Sequence, residues 1–346
     1  MTKRTRGKKA RATLRDVSAE AGFSVFTVSR ALSGLSGVSE ETRQHVLATA
    51  ERVGYVANQP AQRLKRGGST TVGVLTANNA NPFYSTLVNG FEEILIPAGY
   101  HCIVSDSTDH GEYSPQRESL FLDELLQQRV AGVALTYPPS PEQLQRLVDW
   151  SMPMVFMDAY APEDHQDIPS VVVDGEEVSY EVGRHFAEHG YRDWMFLGHP
   201  ETWLTRVRRQ AGFARAAEEF EAQLQIVEGR NDSADAARAV LEAVQARGSA
   251  PRAIFAANEP LVIGTLRALR ELRLSVPDDV ALIGYDETQW AEFAAPPLSL
   301  VDQGISQIGE IAGRLLVERL TDGAVAATTP STPEPKLIIR DSCGSH

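Results

Sequence analysis

The stretch Thr13–Leu32, which reads TLRDVSAEAGFSVFTVSRAL, decides the fold of the N-terminal part of the chain. Thr13 has the side chain that a helix N-cap requires, and Asp16 favours the positive start of a helix. Apolar residues then recur at helical spacing up to Gly22, which permits a tight turn. Because Val25–Leu32 is again amphipathic, the stretch predicts two short helices joined by a turn.

A third helix is predicted where Ser39 precedes two glutamates and a run with apolar residues at helical spacing, which Gly54 ends. Two short helices joined through a glycine turn, together with a third, form a helix-turn-helix module. The second helix of such a module enters the major groove of DNA. The spacing alone also fits a three-helix bundle that does not bind DNA.

The distribution of charge favours the DNA-binding interpretation. Residues 1–68 contain 13 Lys and Arg and 5 Asp and Glu, a net charge of +8, whereas the whole chain carries −13 and the remainder therefore −21. Attraction for a polyanion is thus concentrated in one short segment. Residues 1–12 are predicted to form a disordered basic tail at its start.

From Thr13 to Asn58 the sequence resembles, without a gap, the DNA-binding headpiece of the LacI family of transcription regulators. Residues 58–65 are similar to the hinge helix of that family. The resemblance implies a helix-turn-helix headpiece over 13–57, a hinge helix and linker over 58–70, and a palindromic double-stranded DNA operator as partner. It also implies a homodimer, since two headpieces bind the two halves of a palindrome.

The resemblance implies two kinds of DNA contact in the headpiece. Hydroxyl and backbone N–H groups hold phosphates without reading sequence, whereas Val25, Phe26 and Arg30 match base-reading positions. Arg30 can bond guanine with two N–H groups, and the apolar pair can contact a thymine methyl group. Packing between helices is the alternative role for Val25 and Phe26. The headpiece residues assigned to DNA are Thr13, Leu14, Ser24, Val25, Phe26, Thr27, Ser29, Arg30, Ser39 and Thr42.

Three hinge residues complete the assigned DNA contacts. Leu64 matches the position of a leucine wedge that enters the minor groove and kinks the duplex. Ala61 permits close approach to the DNA backbone, and Asn58 matches a phosphate-contacting position. The alternative for Leu64 is an ordinary leucine in a linker.

From residue 71 onward, short apolar runs alternate with amphipathic helical segments, a pattern that predicts parallel sheets covered on both faces. The looser resemblance in this part implies a two-lobe α/β domain like a periplasmic binding protein, in which the chain crosses between lobes three times. The expected boundaries are about 71–161 and 297–328 for lobe 1, and about 162–296 and 329–344 for lobe 2.

A small polar effector is expected in the cleft between the lobes, because open α/β sheets bind ligands at the carboxyl ends of their strands. The mixture of aromatic, acidic, amide and guanidinium groups there suits a sugar or sugar-like molecule. Arg206 and Arg208 also admit an anionic effector. Turn capping is the alternative for Asp286, and core packing for Tyr84. The residues assigned to the effector are Phe83, Tyr84, Asp158, Trp203, Arg209, Asn258, Asp286 and Gln303.

Other classes of function lack the motifs they need. The sequence has no glycine-rich phosphate loop after a strand, no nucleophile elbow and no His/Cys cluster with metal spacing, so an enzyme, a cofactor and a metal are not expected. A solute-binding receptor would share the two-lobe fold but needs export, and no signal peptide or membrane span is found, so a cytoplasmic location without a membrane partner is expected. The alternative kept open is control by a protein corepressor.

Overall fold

The computed structural model describes residues 12–32, 37–55, 68–109, 112–200, 203–322 and 331–344. Its internal contacts divide the chain into two units, Met1–Ser69 and Thr70–His346. No helix among these described residues combines the length and apolar character needed to cross a membrane.

The described residues of the first unit form three helices: α1 (Leu14–Ala21), α2 (Val25–Leu32) and α3 (Glu40–Val53). Gly22 ends α1 with a φ of 74°, in the left-handed region where glycine carries no steric penalty. One small cluster of buried side chains holds the helices together. Its members are Val17, Ala21, Val28, Ala31, Val46 and Ala50.

The second unit alternates strands and helices along the chain. Its first part contains β1 (Thr71–Thr76), α4 (Pro82–Leu95), β2 (His101–Asp106), β3 (Thr108–Asp109), β4 (Glu112–Tyr113), α5 (Pro115–Gln128), β5 (Gly132–Leu135), α6 (Pro141–Asp149), β6 (Met154–Met157) and β7 (Ser170–Val171). Its second part contains α7 (Glu176–Glu188), β8 (Asp193–Gly198), α8 (Leu204–Glu219), β9 (Gln223–Glu228), α9 (Ser233–Arg247), β10 (Ala253–Ala256), α10 (Glu259–Glu271), β11 (Ala281–Tyr285), β12 (Ser299–Asp302), α11 (Ile305–Asp322) and β13 (Lys336–Ile338).

Two sheets, each with its own buried core, make this unit a two-lobe α/β domain. The first sheet has the strand order β2-β1-β5-β6-β7 and is parallel throughout. The second has the order β13-β12-β11-β10-β8-β9, with only β13 antiparallel. Central strands such as β1, β5 and β10 are buried along their whole length because helices cover both faces. The predicted fold class is therefore confirmed.

Two strands lie in a different lobe from the one expected. β7 pairs with β6 and so extends the first sheet, although residues after 161 were assigned to lobe 2. β12 pairs with β11 in the second sheet, although residues after 296 were assigned to lobe 1. Apolar patterning identifies a buried strand but does not say which sheet it joins. The short hairpin of β3 and β4 was also missed, because two-residue strands leave no periodicity.

These pairings locate two of the lobe crossings among the described residues. The chain leaves the first sheet after β7 and enters α7 through 172–175. It returns through Gln303 and Gly304, between β12 and α11, and α11 packs against α4 of the first lobe. Part of the third connection, from α11 to β13, lies outside the described residues.

Candidate DNA-binding and effector-binding sites

The hydroxyl residues of the headpiece sit at helix starts. Thr13 and Asp16 form a reciprocal capping box, in which the Asp16 carboxylate accepts from the Thr13 backbone N–H at 2.7 Å. Ser24 accepts a hydrogen bond from the Thr27 N–H at 3.1 Å, and Ser39 accepts one from the Thr42 N–H at 3.2 Å. Helix N-termini with exposed hydroxyls and N–H groups are suited to hold phosphates.

One face of α2 is open. The side chains of Val25 and Phe26 are 42% and 67% exposed, so packing within the headpiece does not account for them. Arg30 lies one turn further along the helix, with its guanidinium carbon 5.5 Å from the centre of the Phe26 ring. Ser29 is half-buried beside it. These four side chains form what we call the α2 face.

Four of the assigned headpiece and hinge residues need separate comment. Leu14 is half-buried against the headpiece core, so any contact with DNA falls to its backbone rather than to its side chain. Asn58, Ala61 and Leu64 lie outside the described residues.

The cleft of the second unit is built from residues that follow strands. Asp158 comes directly after β6, His199 after β8, and Asp286 after β11. Asn258 follows β10 closely and caps α10, accepting from the Leu261 N–H at 3.1 Å. Asp158 and Asp286 have φ values of +54° and +75°, a strained conformation for a residue other than glycine and one found often at functional sites.

Arg209 of α8 is the central cation of the cleft. Its side chain is buried, Nη1 donates to the Ala257 carbonyl at 2.7 Å, and the guanidinium carbon lies 3.6 Å from the centre of the Tyr285 ring. A planar guanidinium suits both contacts, since it can stack and donate at the same time. Arg209 also stabilises the charged forms of the two strand-end aspartates described next.

The two aspartates have different surroundings. Burial raises the pKa of Asp158 to about 7; the Arg209 charge opposes this rise and the Asp286 charge adds to it. Burial also raises the pKa of Asp286, against the effects of Arg209 and of a 2.5 Å hydrogen bond from Gln303 Nε2. Among the described residues, the buried Oδ1 of Asp158 has no hydrogen-bond partner. An incoming donor would therefore satisfy it.

The cleft consists of two connected chambers. The inner chamber has a volume of about 30 Å³ and is lined by polar groups that include Asp158, Arg209, Asn258 and Asp286. The outer chamber has a volume of about 810 Å³ and is lined by four aromatic and four proline side chains together with polar residues that include Asn78, Asp158, Arg230 and Asn231. Asp158, Trp203, Thr205 and Asn231 border both.

Contacts across the cleft already join the lobes. The Asn78 side chain, after β1, donates to the Asn231 carbonyl of the second lobe at 2.9 Å. The Trp203 ring, at the start of α8, lies 6.1 Å from the Tyr137 ring of the first lobe. Ligands in such a cleft therefore meet groups from both lobes at once.

Both described crossings contact polar residues that line the inner chamber. A Cβ at Gly175 would lie 2.8 Å from Arg209 Cγ and 2.9 Å from the Tyr285 hydroxyl oxygen, so only glycine lets this crossing pass so close. Gln303, in the next crossing, is fully buried and bonds Asp286. A group bound to Arg209 or Asp286 is thus one contact away from the segments that join the lobes.

The structure brings most of the assigned effector residues together. Seven of them border the inner chamber: Phe83, Tyr84, Asp158, Trp203, Arg209, Asn258 and Asp286. The eighth, Gln303, donates a hydrogen bond to Asp286. Phe83 and Tyr84 are nearly buried and also belong to the core of the first lobe. Asp286 does more than cap a turn, because its carboxylate bonds Gln303.

Sequence reasoning missed several residues that border the chambers. Tyr137 follows β5 and His199 follows β8, so the strand-end rule could have found both. Burial beside Arg209 and Arg206 lowers the pKa of His199 to about 3, which keeps its ring neutral. Tyr113, of the β3–β4 hairpin, and Asn231, in a loop, had no comparable signal.

Arg206 and Arg208 are engaged by carboxylates of the chain itself. Arg206 lies 3.7 Å from Glu228, and Arg208 pairs with Asp174 and, at 2.9 Å, with Glu176. The sequence had suggested that these arginines admit an anionic effector. Their observed ion pairs weaken that argument. Among the described residues, no group of three or more His, Cys, Asp or Glu side chains is placed to hold a metal ion.

A basic helix-turn-helix unit followed by a two-lobe domain with a polar cleft defines a class of protein, the DNA-binding transcription regulators that sense a ligand. Comparison with family models agrees with this class. Residues 13–58 match the bacterial regulatory proteins of the lacI family, and residues 184–343 match the periplasmic binding protein-like domain.

Individual relatives cover nearly the whole chain. The HTH-type transcriptional repressor PurR of Vibrio parahaemolyticus is 31% identical over 337 residues, which are 96% of this chain and 98% of that one. The crystal structure of the lac repressor dimer bound to operator and the anti-inducer ONPF superposes with a TM-score of 0.79 at 25% identity, covering 96% and 99% of the two chains. The CelR–cellobiose complex gives a TM-score of 0.70 at 27% identity, covering 96% and 100%.

The chain belongs to the LacI family of bacterial regulatory proteins. It is a DNA-binding transcriptional repressor with an effector-binding domain, and it is not an enzyme.

Proposed function

We propose that this repressor acts as a homodimer on a palindromic operator and that an uncharged, hydroxyl-bearing effector in the cleft controls its affinity for DNA. The proposal rests on two contacts between the cleft and the segments that join the lobes. Gly175 of the first described crossing lies against Arg209, and Gln303 of the second donates a hydrogen bond to Asp286. A ligand that binds this cluster differently in two lobe arrangements shifts the balance between them.

The α2 face supports the DNA-binding part of the proposal. Phe26 and Val25 offer exposed apolar surface that nothing in the headpiece core uses, and Arg30 lies beside them. Such a set can meet a thymine methyl group and a guanine edge in the major groove. The hydroxyls at the starts of α1, α2 and α3 are placed to fix the headpiece on phosphates.

The edge strands of the two sheets support a homodimer. β2 is the outer strand of the first sheet and exposes the apolar Ile103 and Val104, which are 38% and 39% exposed. β9 is the outer strand of the second sheet and exposes Ile226. Open apolar edges favour pairing with another chain. The lac repressor in the matched structure is a dimer on its operator.

The charge of the inner chamber supports an uncharged effector. Arg209 borders the inner chamber together with Asp158 and Asp286 and is the only arginine or lysine among its described lining residues, so two carboxyl groups oppose the binding of an anionic group there. Hydroxyl groups can donate to Asp158 Oδ1 and accept from Arg209 or Asn258. The related CelR, which was solved with cellobiose, agrees with a sugar-like ligand.

A direct test measures operator affinity of the full chain, by fluorescence anisotropy on palindromic DNA selected from a random pool, with and without candidate sugars. We expect at least one neutral sugar or glycoside to change the affinity for the selected DNA by tenfold or more, within the usual range of allosteric coupling. Arg209→Lys should remove that response. Deleting residues 1–68 should abolish DNA binding but preserve ligand binding. Retained DNA binding by the deletion variant would contradict the proposal.

A further inference from the structure

A cavity separate from the cleft lies at the other end of the first sheet. It has a volume of about 330 Å³ and lies at the amino ends of β6 and β7, beside the carboxyl ends of α6 and α11. Met154, at the start of β6, borders this cavity, whereas Asp158, directly after the same strand, borders the cleft. Its volume is at the lower end of the usual range for ligand pockets, so it has room for a small molecule. We call this cavity the far pocket.

The wall of the far pocket is mainly apolar. Met154 and Ile168 are buried and belong to the core of the first lobe, and Val148 and Met152 are partly buried against that core. Pro153 adds to the same wall. Methionine side chains adapt their shape to an apolar group that packs on them. A short apolar group in the far pocket would therefore be removed from water against an adaptable surface.

Arg319 of α11 is the one arginine or lysine among the described residues that line the far pocket. Its Nη1 donates to the Asp167 carbonyl at 3.1 Å, which holds the guanidinium at the wall. No carboxylate of the described residues, that of Asp167 included, forms an ion pair with it. Because a guanidinium has five N–H donors, Arg319 keeps donors for water or for a ligand.

We propose that the far pocket is a second ligand site, which takes a small monocarboxylate with an apolar tail. The carboxylate accepts hydrogen bonds from Arg319, whose planar guanidinium matches its geometry. The tail lies against Met152, Met154 and Ile168. This ligand is distinct from the effector in the cleft, and its binding does not depend on the proposed control by a sugar-like molecule.

The same residues select against other classes of small molecule. A phosphate group carries more charge than a carboxylate, and one arginine beside an apolar wall does not offset the loss of its hydration. The exposed Asp167 carboxylate at the pocket adds repulsion for a dianion. An uncharged apolar molecule would instead cover Arg319 without giving it an acceptor. A single negative charge with an apolar tail meets both requirements.

The five methionines of the full chain report where such a ligand binds. Met152 and Met154 line the far pocket, whereas Met157 directly precedes Asp158 of the cleft and Met195 lies in β8 of the second lobe. Protein with 13C-labelled methionine methyl groups is titrated with 4-methylpentanoate and followed by NMR. We expect saturable shifts of the Met152 and Met154 signals and much smaller shifts at Met157 and Met195. No saturable shift, or larger shifts at Met157 or Met195, would overturn the far pocket.

Two further probes separate the charge of the ligand from its tail. 4-Methylpentanamide keeps the tail and loses the charge, whereas acetate keeps the charge and loses the tail. We expect both to bind about fivefold more weakly than 4-methylpentanoate or worse, because a hydrogen bond to a charged group and apolar burial each contribute. An amide that binds as well as the acid, or acetate that binds as well as the longer acid, would refute the assigned ligand class.

Substitutions of Arg319 test the carboxylate contact. Arg319→Gln removes the charge but can still donate to the Asp167 carbonyl, so the contact that holds the side chain is kept. The preference for 4-methylpentanoate over its amide should fall to about one in Arg319→Gln, and Arg319→Lys should retain part of it. Arg314→Gln, at an exposed position of the same helix, is the control and should bind both probes as wild type does. An undiminished preference in Arg319→Gln would place the carboxylate elsewhere and overturn the assignment.

Discussion

At the scale of single residues, the Asp158 carboxyl group has a strongly raised pKa. The residue is half-buried, its buried Oδ1 lacks a partner among the described residues, and burial raises its pKa to about 7. The ionised form of Asp158 is therefore destabilised in the folded chain. A ligand that donates a hydrogen bond to Oδ1 relieves this destabilisation.

The raised pKa of Asp158 predicts how stability depends on pH. Well below pH 4 the carboxyl is protonated in both the folded and the unfolded chain. As the pH rises toward 7 the unfolded chain loses this proton first, so the contribution of Asp158 to stability falls, and it levels off above 7.

Asp158→Asn should accordingly stabilise the chain relative to wild type at about pH 8 and much less at about pH 5. Urea unfolding at both pH values measures the difference. Asp149→Asn, the same substitution at an exposed position of α6, is the control. An equal effect of Asp158→Asn at the two pH values would contradict the raised pKa.

The exposed Phe26 gives a second prediction at this scale. Phe26→Ala should leave the unfolding temperature nearly unchanged, because the ring lies outside the headpiece core. It should weaken specific operator binding roughly tenfold or more while changing non-specific binding little, as expected for a base contact. Val28→Ala, in the core of the same helix, should instead lower stability. Equal losses of specific and non-specific binding in Phe26→Ala would refute base contact.

The sequence predicted individual site residues where a polar side chain comes directly after a buried strand. Asp158, Asn258 and Asp286 follow buried strands whose apolar pattern is plain, and they meet in the cleft between the two lobes. Tyr113 was not predictable, because its place depends on a two-residue strand. Nor were the ion pairs of Arg206 and Arg208, since their partners lie on other elements.

At the scale of elements, the pairing of α4 with α11 depends on glycine. Gly309 faces the backbone of α4, and a Cβ there would lie 2.1 Å from the Leu87 carbonyl oxygen. Gly90 of α4 makes the reciprocal approach to Ser306. The two helix backbones pack closely, so neither side can give way cheaply. This pairing holds α11 on the first lobe after the second crossing.

Gly309→Ala should therefore lower the free energy of unfolding by about 1–3 kcal/mol through overpacking, even though alanine has the higher helix propensity. Arg314→Ala, on the exposed side of α11, removes only a surface ion pair with Glu310 and should cost less than about 1 kcal/mol. Urea unfolding compares the two variants. A neutral or stabilising Gly309→Ala would show that the helices separate more easily than their backbone contact implies.

Element bounds followed well from apolar periodicity, but sheet membership did not. α2 has the predicted limits, Val25–Leu32, because the capping Ser24 and the end of the apolar pattern mark where the helix begins and ends. β7 and β12 were assigned to the other lobe, since pairing partners are set by the path of the whole chain. A one-dimensional pattern carries no information about which neighbour a strand has.

At the scale of the whole molecule, the proposed dimer uses the edges that the sheets leave open. Val104→Glu on β2 should shift the protein from dimer toward monomer and weaken operator binding, because a buried unpaired charge is costly. Val207→Glu is the matched control, since Val207 is similarly exposed, at 41%, but lies on α8. Analytical ultracentrifugation measures the mass. A monomeric wild type, or a Val104→Glu variant that stays dimeric, would refute this interface.

The adjacent arginines of α8 divide two tasks between neighbouring positions. Arg208 pairs with Asp174 of the first crossing, while Arg209 lies in the cleft and against Gly175 of the same crossing. Because these consecutive arginines both contact the first crossing, we expect substitutions that reshape the cleft around Arg209 to shift the Arg208–Asp174 ion pair as well. Changes in effector specificity and changes in repression without effector should then occur together. Libraries selected only for a new inducer should be rich in variants that repress too weakly or too tightly without it.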